Sequence, residues 1–139
     1  MLFRRIKDLR EDNDYTQKEI YKTIGCGRTA YGLYEHGTRE IPVAQMIALA
    51  DFYHVTLEYL SGRSNDKGTF CSPKYSIPDM LYGLRRKHHK TQEQIAEILH
   101  CARPIYSNYE EGKTKISVSM LITLADFYGV TLDNICGCV

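Results

Sequence analysis

Two stretches of the chain, residues 16–37 and 91–112, carry polar side chains at a spacing that suits reading a surface rather than breaking a bond. The first opens Thr-Gln-Lys-Glu-Ile, breaks at Gly-Cys-Gly and closes in the frame Arg-x-x-Tyr-x-x-Tyr-Glu-x-Gly. The second opens Thr-Gln-Glu-Gln-Ile, breaks at His-Cys-Ala and closes in the same frame. Tyr31 and Tyr34, like Tyr106 and Tyr109, lie three apart and so share one helical face, which is expected to point inward. Opposite them stand Thr29, Gly32, Leu33 and His36 in one copy, and Pro104, Ser107, Asn108 and Glu111 in the other. Two short helices joined by a tight turn let one helix enter a DNA groove while the other braces it.

The elements that must hold these strips are legible around them. Thr16 with Glu19, and Thr91 with Gln94, form capping boxes that start a helix; Tyr15 and Ile20 suit a hydrophobic staple. Gly25 falls where that helix must leave through a left-handed residue, a conformation glycine adopts without steric cost, and His100 takes the same place less comfortably. The following helix is expected to start near Gly27–Arg28 and Ala102–Arg103, with Pro104 tolerated in a first turn that needs no amide from it. Leu2, Ile6 and Leu9, and Ile77, Leu81 and Leu84, predict an amphipathic helix ahead of each motif. After Gly37 and Gly112 an apolar helix ends in Ala-Asp-Phe-Tyr, where Phe52 and Phe127 are expected to meet the motif. A short fifth helix is then capped by Thr56 and Thr131.

A constant shift of 75 residues superposes the two halves without a gap and gives about 23 identities in roughly 62 pairs. The expected organisation is therefore all-α, with five-helix domains at 1–62 and 77–139 and a polar, flexible linker at 63–76 long enough for both to reach one duplex. Each domain is near the lower size limit for a self-sufficient core.

Composition removes several classes of function. With 43% hydrophobic and 25% charged residues the chain is globular. Its net charge of +1 gives no whole-molecule attraction to nucleic acid, so a DNA-facing surface must arise from local segregation of charge. No apolar run approaches a membrane span and the start is not a secretory signal, so cytoplasmic residence is expected, with no membrane partner. Five cysteines without a repeated two-residue spacing indicate neither a disulfide framework nor a zinc site. Cys26 and Cys101 read as small buried turn residues, and Cys136-Gly-Cys138 as incidental. His36, His88 and His89 read as solvated. Paired carboxylates, a glycine-rich phosphate loop and a nucleophile elbow are missing, so the expectation is a protein without catalysis, cofactor or metal.

Taken in order, Leu-Arg before the motif, Thr-Gln-x-x-Ile opening it, Tyr-Glu-x-Gly closing it and Leu-Ala-Asp-Phe-Tyr-x-Val-Thr-Leu at the end occur twice. The chain thus resembles the lambda-repressor-like, or Cro-type, helix-turn-helix proteins, in two tandem copies covering nearly everything but the linker. That resemblance implies a sequence-specific transcriptional regulator, a repressor in the commonest case, with double-stranded DNA as partner. It implies phosphate contacts from Gln17 and Gln92 and from the loop residues Arg39, Lys113 and Lys115. Base reading would fall to Arg28, Thr29, Gly32 and Leu33, then Arg103, Pro104, Ser107 and Asn108. Arginine suits guanine's paired acceptors and asparagine suits adenine, while leucine and glycine carry no hydrogen-bond code. Structural ion pairs are implied between Arg10 and Glu35 and between Arg85 and Glu110. A homodimer, or a protein partner in place of DNA, as in an antitoxin or anti-repressor that kept the fold, stays open beside this reading.

Overall fold

The computed structural model describes residues 3–139 and divides the chain into two compact units, the first ending at Cys71 and the second running Ser72–Val139. Leu2, expected on the apolar face of the first helix, lies outside the described residues. The described residues form only helices. In the first unit these are α1 (Arg4–Asp12), α2 (Gln17–Thr23), α3 (Arg28–His36), α4 (Val43–Tyr53) and α5 (Leu57–Leu60). In the second they are α6 (Ile77–Lys87), α7 (Gln92–Ile98), α8 (Arg103–Glu111), α9 (Val118–Tyr128) and α10 (Leu132–Ile135).

Local chemistry sets the helix starts. The Thr16 hydroxyl accepts from the Glu19 amide while the Glu19 carboxylate accepts from the Thr16 amide, and Thr91 with Gln94 repeats the reciprocal pair. The hydroxyls of Ser76, Ser117, Thr56 and Thr131 each accept from the amide three residues on and so cap α6, α9, α5 and α10, each cap contributing about 1 kcal/mol. Between the motif helices the backbone turns through left-handed residues, Gly25 at φ 73° and His100 at φ 56°. Only the second unit bears the steric cost of a side chain there.

In the first unit α3 packs on α2 and α1, and α5 lies against α1 and α4. In the second, α8 packs on α7 and α6, and α10 on α9 and α6. Ile6, Ile20, Tyr31, Met46, Leu49 and Leu60 fill one core, and Leu81, Ile95, Tyr106, Leu121, Leu124 and Ile135 the other. Each such side chain contributes roughly 1.5–3 kcal/mol by leaving water.

Several sequence expectations need correction. Phe127 is 40% exposed rather than seated on the motif; it packs edge-on against the buried Tyr128. Phe52 is half-buried, with its ring 5.2 Å from that of Tyr15. Tyr109 is only half-buried, unlike Tyr34, and Cys26 and Cys101 are half-buried. Cys138 is disulfide-bonded, which the cysteine spacing gave no sign of, so it is not an incidental tail thiol.

The segment beginning at residue 63 is not free along its length. Arg5 donates from its guanidinium to the Tyr59 carbonyl at 2.6 Å, to the Ser64 carbonyl and to Asn65 Oδ1 at 2.7 Å, while the Thr56 amide donates to the Lys67 carbonyl at 2.9 Å. At the start of the second unit the Lys74 amide donates to the Gly137 carbonyl at 2.8 Å. Gly137 has φ 108°, and a Cβ there would overlap the Tyr75 carbonyl oxygen. Gly137→Ala is expected to destabilise the second unit by about 1–3 kcal/mol through backbone strain and that collision. A lowered thermal midpoint, with the first unit's signals unchanged, checks this.

Candidate nucleic-acid interface

Each motif is locked by a buried ion pair beneath its second helix. Arg10 Nε donates to Glu35 Oε1 at 2.6 Å and its second nitrogen to Oε2 at 3.1 Å, a bidentate fork. Arg85 and Glu110 repeat it at 2.6 and 3.1 Å. The Glu35 side chain is 3% exposed and that of Glu110 4%. The third guanidinium nitrogen of Arg10 donates to the Tyr15 carbonyl and that of Arg85 to the Lys90 carbonyl, which ties the turn before α2 or α7 to the same network.

Burial pushes the Glu35 carboxyl upward, but hydrogen bonds from Arg10, Tyr31 and Gln17 outweigh it and hold the group below its usual value. Glu110 is also held below its usual value, burial being opposed by hydrogen bonds from Arg85 and Gln92 and by the Arg85 charge. The Tyr31 hydroxyl donates to Glu35 at 2.8 Å. Tyr106 sits close enough to Glu110 for burial and the carboxylate to push its hydroxyl well up, yet that buried hydroxyl makes no hydrogen bond of good geometry. The first unit's network is therefore the better satisfied of the two.

Gln17 and Gln92 join these networks. Gln17 Nε2 donates to Glu35 at 2.9 Å and Gln92 Nε2 to Glu110 at 3.4 Å. An amide nitrogen carries two hydrogens, so the carboxylate orients the group and leaves a second donor for another acceptor.

On the outer faces, Arg28, Thr29, Arg103 and Pro104 are exposed, and Gly32, Leu33, Ser107 and Asn108 are half-buried. A Cβ at Gly32 would meet nothing within 4 Å, so that spot on α3 is open. Ile105, 46% exposed in the first turn of α8, is an apolar contact surface that the sequence reading left out. Arg39, Lys113 and Lys115 are exposed in the loops after the motifs.

Lys113 is not a free cation. Its Nζ lies 2.7 Å from Glu111, which also accepts from Ser107 at 3.4 Å; the contact raises the lysine's pKa and lowers the glutamate's. Glu111 thus places negative charge beside Ser107 and holds the Lys113 ammonium. Glu111→Gln is expected to tighten DNA binding severalfold and to steepen its salt dependence by up to about 1 in log–log slope; fluorescence anisotropy across a salt series measures both.

A cleft of about 620 Å³ opens beside α7 in the second unit, lined by Arg85, Arg86, His89, Lys90, Thr91, Gln92, Glu93 and Arg103. Of these, Arg86 and Lys90 carry no functional role in the sequence reading, and His89 reads there only as solvated. Burial pushes the Cys26 and Cys101 thiols up, and Cys136 up to about 12, so none of the three is a ready nucleophile at neutral pH. Among the described residues no group of three or more His, Cys, Asp or Glu is placed to hold a metal ion, and no helix is long and apolar enough to cross a membrane.

Two helical pairs, each with its second helix presented outward and pinned from below, define a helix-turn-helix protein. The profile of the Helix-turn-helix family matches residues 6–60 and again 81–135, and the chain belongs to that family. It is similar to YobD of Bacillus subtilis, an HTH-type transcriptional regulator, at 29% identity over 66 residues, covering 48% of this chain and 59% of that one. The cryptic phage CTXphi transcriptional repressor RstR of Vibrio cholerae is 37% identical over 60 residues, covering 43% and 54%. YqaE of Bacillus subtilis, also an HTH-type transcriptional regulator, is 34% identical over 98 residues, 70% of this chain and 84% of its own length. The chain thus spans little more than half the length of the first two relatives. No solved structure matches.

Proposed function

We propose that the chain is a sequence-specific DNA-binding transcriptional regulator, a repressor by preference, that inserts α3 and α8 into the major groove and carries no catalysis. The observation that carries this is the pinning of each motif by its bidentate Arg–Glu pair. The pair holds the outer faces of α3 and α8 rigid while Arg28, Thr29, Arg103, Ser107 and Asn108 remain accessible. Family membership and the regulator and repressor names of the relatives support the same reading.

In this reading Arg103 takes guanine's paired acceptors and Asn108 reads adenine. Gln17 and Gln92, oriented by their carboxylates, reach phosphates at the groove edge, with Arg39, Lys113 and Lys115 on the backbone beyond. Two reading units, 1–62 and 77–139 joined by 63–76, gain affinity through effective concentration even where each alone binds weakly. A cytoplasmic location goes with this function.

A second reading has one specific observation behind it. Gly32 and Leu33 give α3 an open, apolar centre without a base code, which suits a protein partner better than a groove. Rounds of selection from a random duplex pool separate the two. Enrichment of a defined sequence supports the regulator; no retention at low salt, together with a stable protein complex, overturns it.

A further inference from the structure

The two units part company at the turn that precedes the motif. With the halves aligned, Arg86, Lys87, His89 and Lys90 stand where the first unit has Glu11, Asp12, Asp14 and Tyr15. Residues 86–90 hold three cations and two histidines, whereas residues 11–15 hold three carboxylates and no cation. The backbone is the same in both, with Asp14 at φ 58° and His89 at φ 54°. The exchange is therefore one of charge on a common scaffold.

In the second unit the result is the cleft beside α7. Arg85 on its wall is neutralised by Glu110, and the rest of the lining sets Arg86, Lys90 and Arg103 against the single carboxylate of Glu93; those three cations form no ion pair with any described residue. Arg86 and Lys90 lie along aromatic rings, 5.8 Å from that of Tyr82 and 5.9 Å from that of Phe127, which steadies long side chains without cancelling their charge. Gln92, aimed by Glu110, adds a neutral donor at the same place. Cations converging with an oriented amide fit the non-bridging oxygens of phosphate. In the first unit the matching position repels them: Glu11 lies 3.7 Å from Lys7 and 4.0 Å from Arg10, and Asp12 and Asp14 are exposed beside it.

We infer that the units share the DNA backbone unequally: Arg86 and Lys90 clamp backbone phosphate at the α6–α7 turn, next to the base-reading Arg103, while the acidic α1–α2 turn holds phosphate away from the first unit. The inference rests on the DNA-binding reading and adds where affinity resides. Phosphate groups also occur on small molecules, and the test tells the two sources apart.

The experiment is fluorescence anisotropy of the full chain on a duplex selected from a random pool, across a potassium chloride series. Arg86→Gln with Lys90→Gln is expected to cost tenfold or more in affinity and to reduce the log–log salt slope by about 2, close to one per lost phosphate contact. Arg86→Lys with Lys90→Arg keeps the slope, which separates charge from packing on the two rings. Glu11→Gln, Asp12→Asn and Asp14→Asn together keep shape, since asparagine tolerates the left-handed backbone at position 14; binding stays as tight or tightens. Potassium phosphate and ADP compete no better than chloride at equal ionic strength.

An unchanged slope in the second-unit variant, weaker binding in the first-unit variant, or selective displacement by phosphate or ADP overturns the unequal clamp while the regulator stands. Failure of the native chain to bind any selected duplex overturns the regulator itself, and the clamp with it.

Discussion

Arg10→Met is expected to cost the first unit about 3–5 kcal/mol, and Arg85→Met the second unit about the same. Each substitution leaves a carboxylate that is almost wholly buried without its counter-charge. A unit of this size has roughly 3–10 kcal/mol in total, so either change brings its unit to the edge of unfolding. Urea unfolding followed by amide NMR signals of each unit reads the loss separately. Pairing each arginine change with Glu35→Met or Glu110→Met should recover most of it, because the cost lies in the orphaned charge rather than in the absence of the pair.

Acid gives a further signature of the same network. Both carboxyls sit below 4.5 in the folded chain, so the unfolded chain takes up protons first as pH falls. Their contribution is fully present above about pH 4.5 and is lost as pH drops through the folded values. In Arg10→Met the balance at Glu35 is expected to reverse, since burial, no longer opposed by the guanidinium, favours the protonated carboxyl. That variant should gain stability as pH falls toward about 4.5, a range in which the native pair's contribution is still fully present and the native chain is flat. A loss below about 1 kcal/mol, or the same pH trend in both, would contradict the role given to the pair.

Arg103→Ala should relax base preference at one position of the selected site, about 1–3 kcal/mol or roughly five- to 150-fold between the best base and the others. Lys115→Ala, in the exposed loop after α8, should weaken every sequence alike and take about 1 from the salt slope. Comparing enrichment profiles of the two variants distinguishes base reading from backbone grip; matching losses on all sequences would refute the assignment.

The fold was legible because the signals are local and occur twice. Thr16 with Glu19 and Thr91 with Gln94 mark helix starts through chemistry confined to one turn, and a gapless repeat shows that the same scaffold was written out twice. What the sequence hid was three-dimensional. Phe127 stands in the same tetrapeptide as Phe52 yet faces solvent, because identity of residue does not fix depth of burial. Arg5 reaches across more than fifty residues to the Ser64 carbonyl, so a composition that reads as flexible is held down at its start. The charge contrast between residues 11–15 and 86–90 was present in the sequence but vanishes when charge is summed over each half. Only the cleft beside α7 shows that the cations at 86 and 90 converge with Arg103.

The central claim is that the outward faces of α3 and α8 meet duplex DNA. Amide NMR shift mapping of the full chain titrated with a selected duplex tests it most directly. The account predicts the largest shifts at residues 17, 28–33, 86–92 and 103–115, with the amides of α4 and α9 little changed. Shifts concentrated instead in α4–α5 or α9–α10, with the motif helices silent, would contradict it.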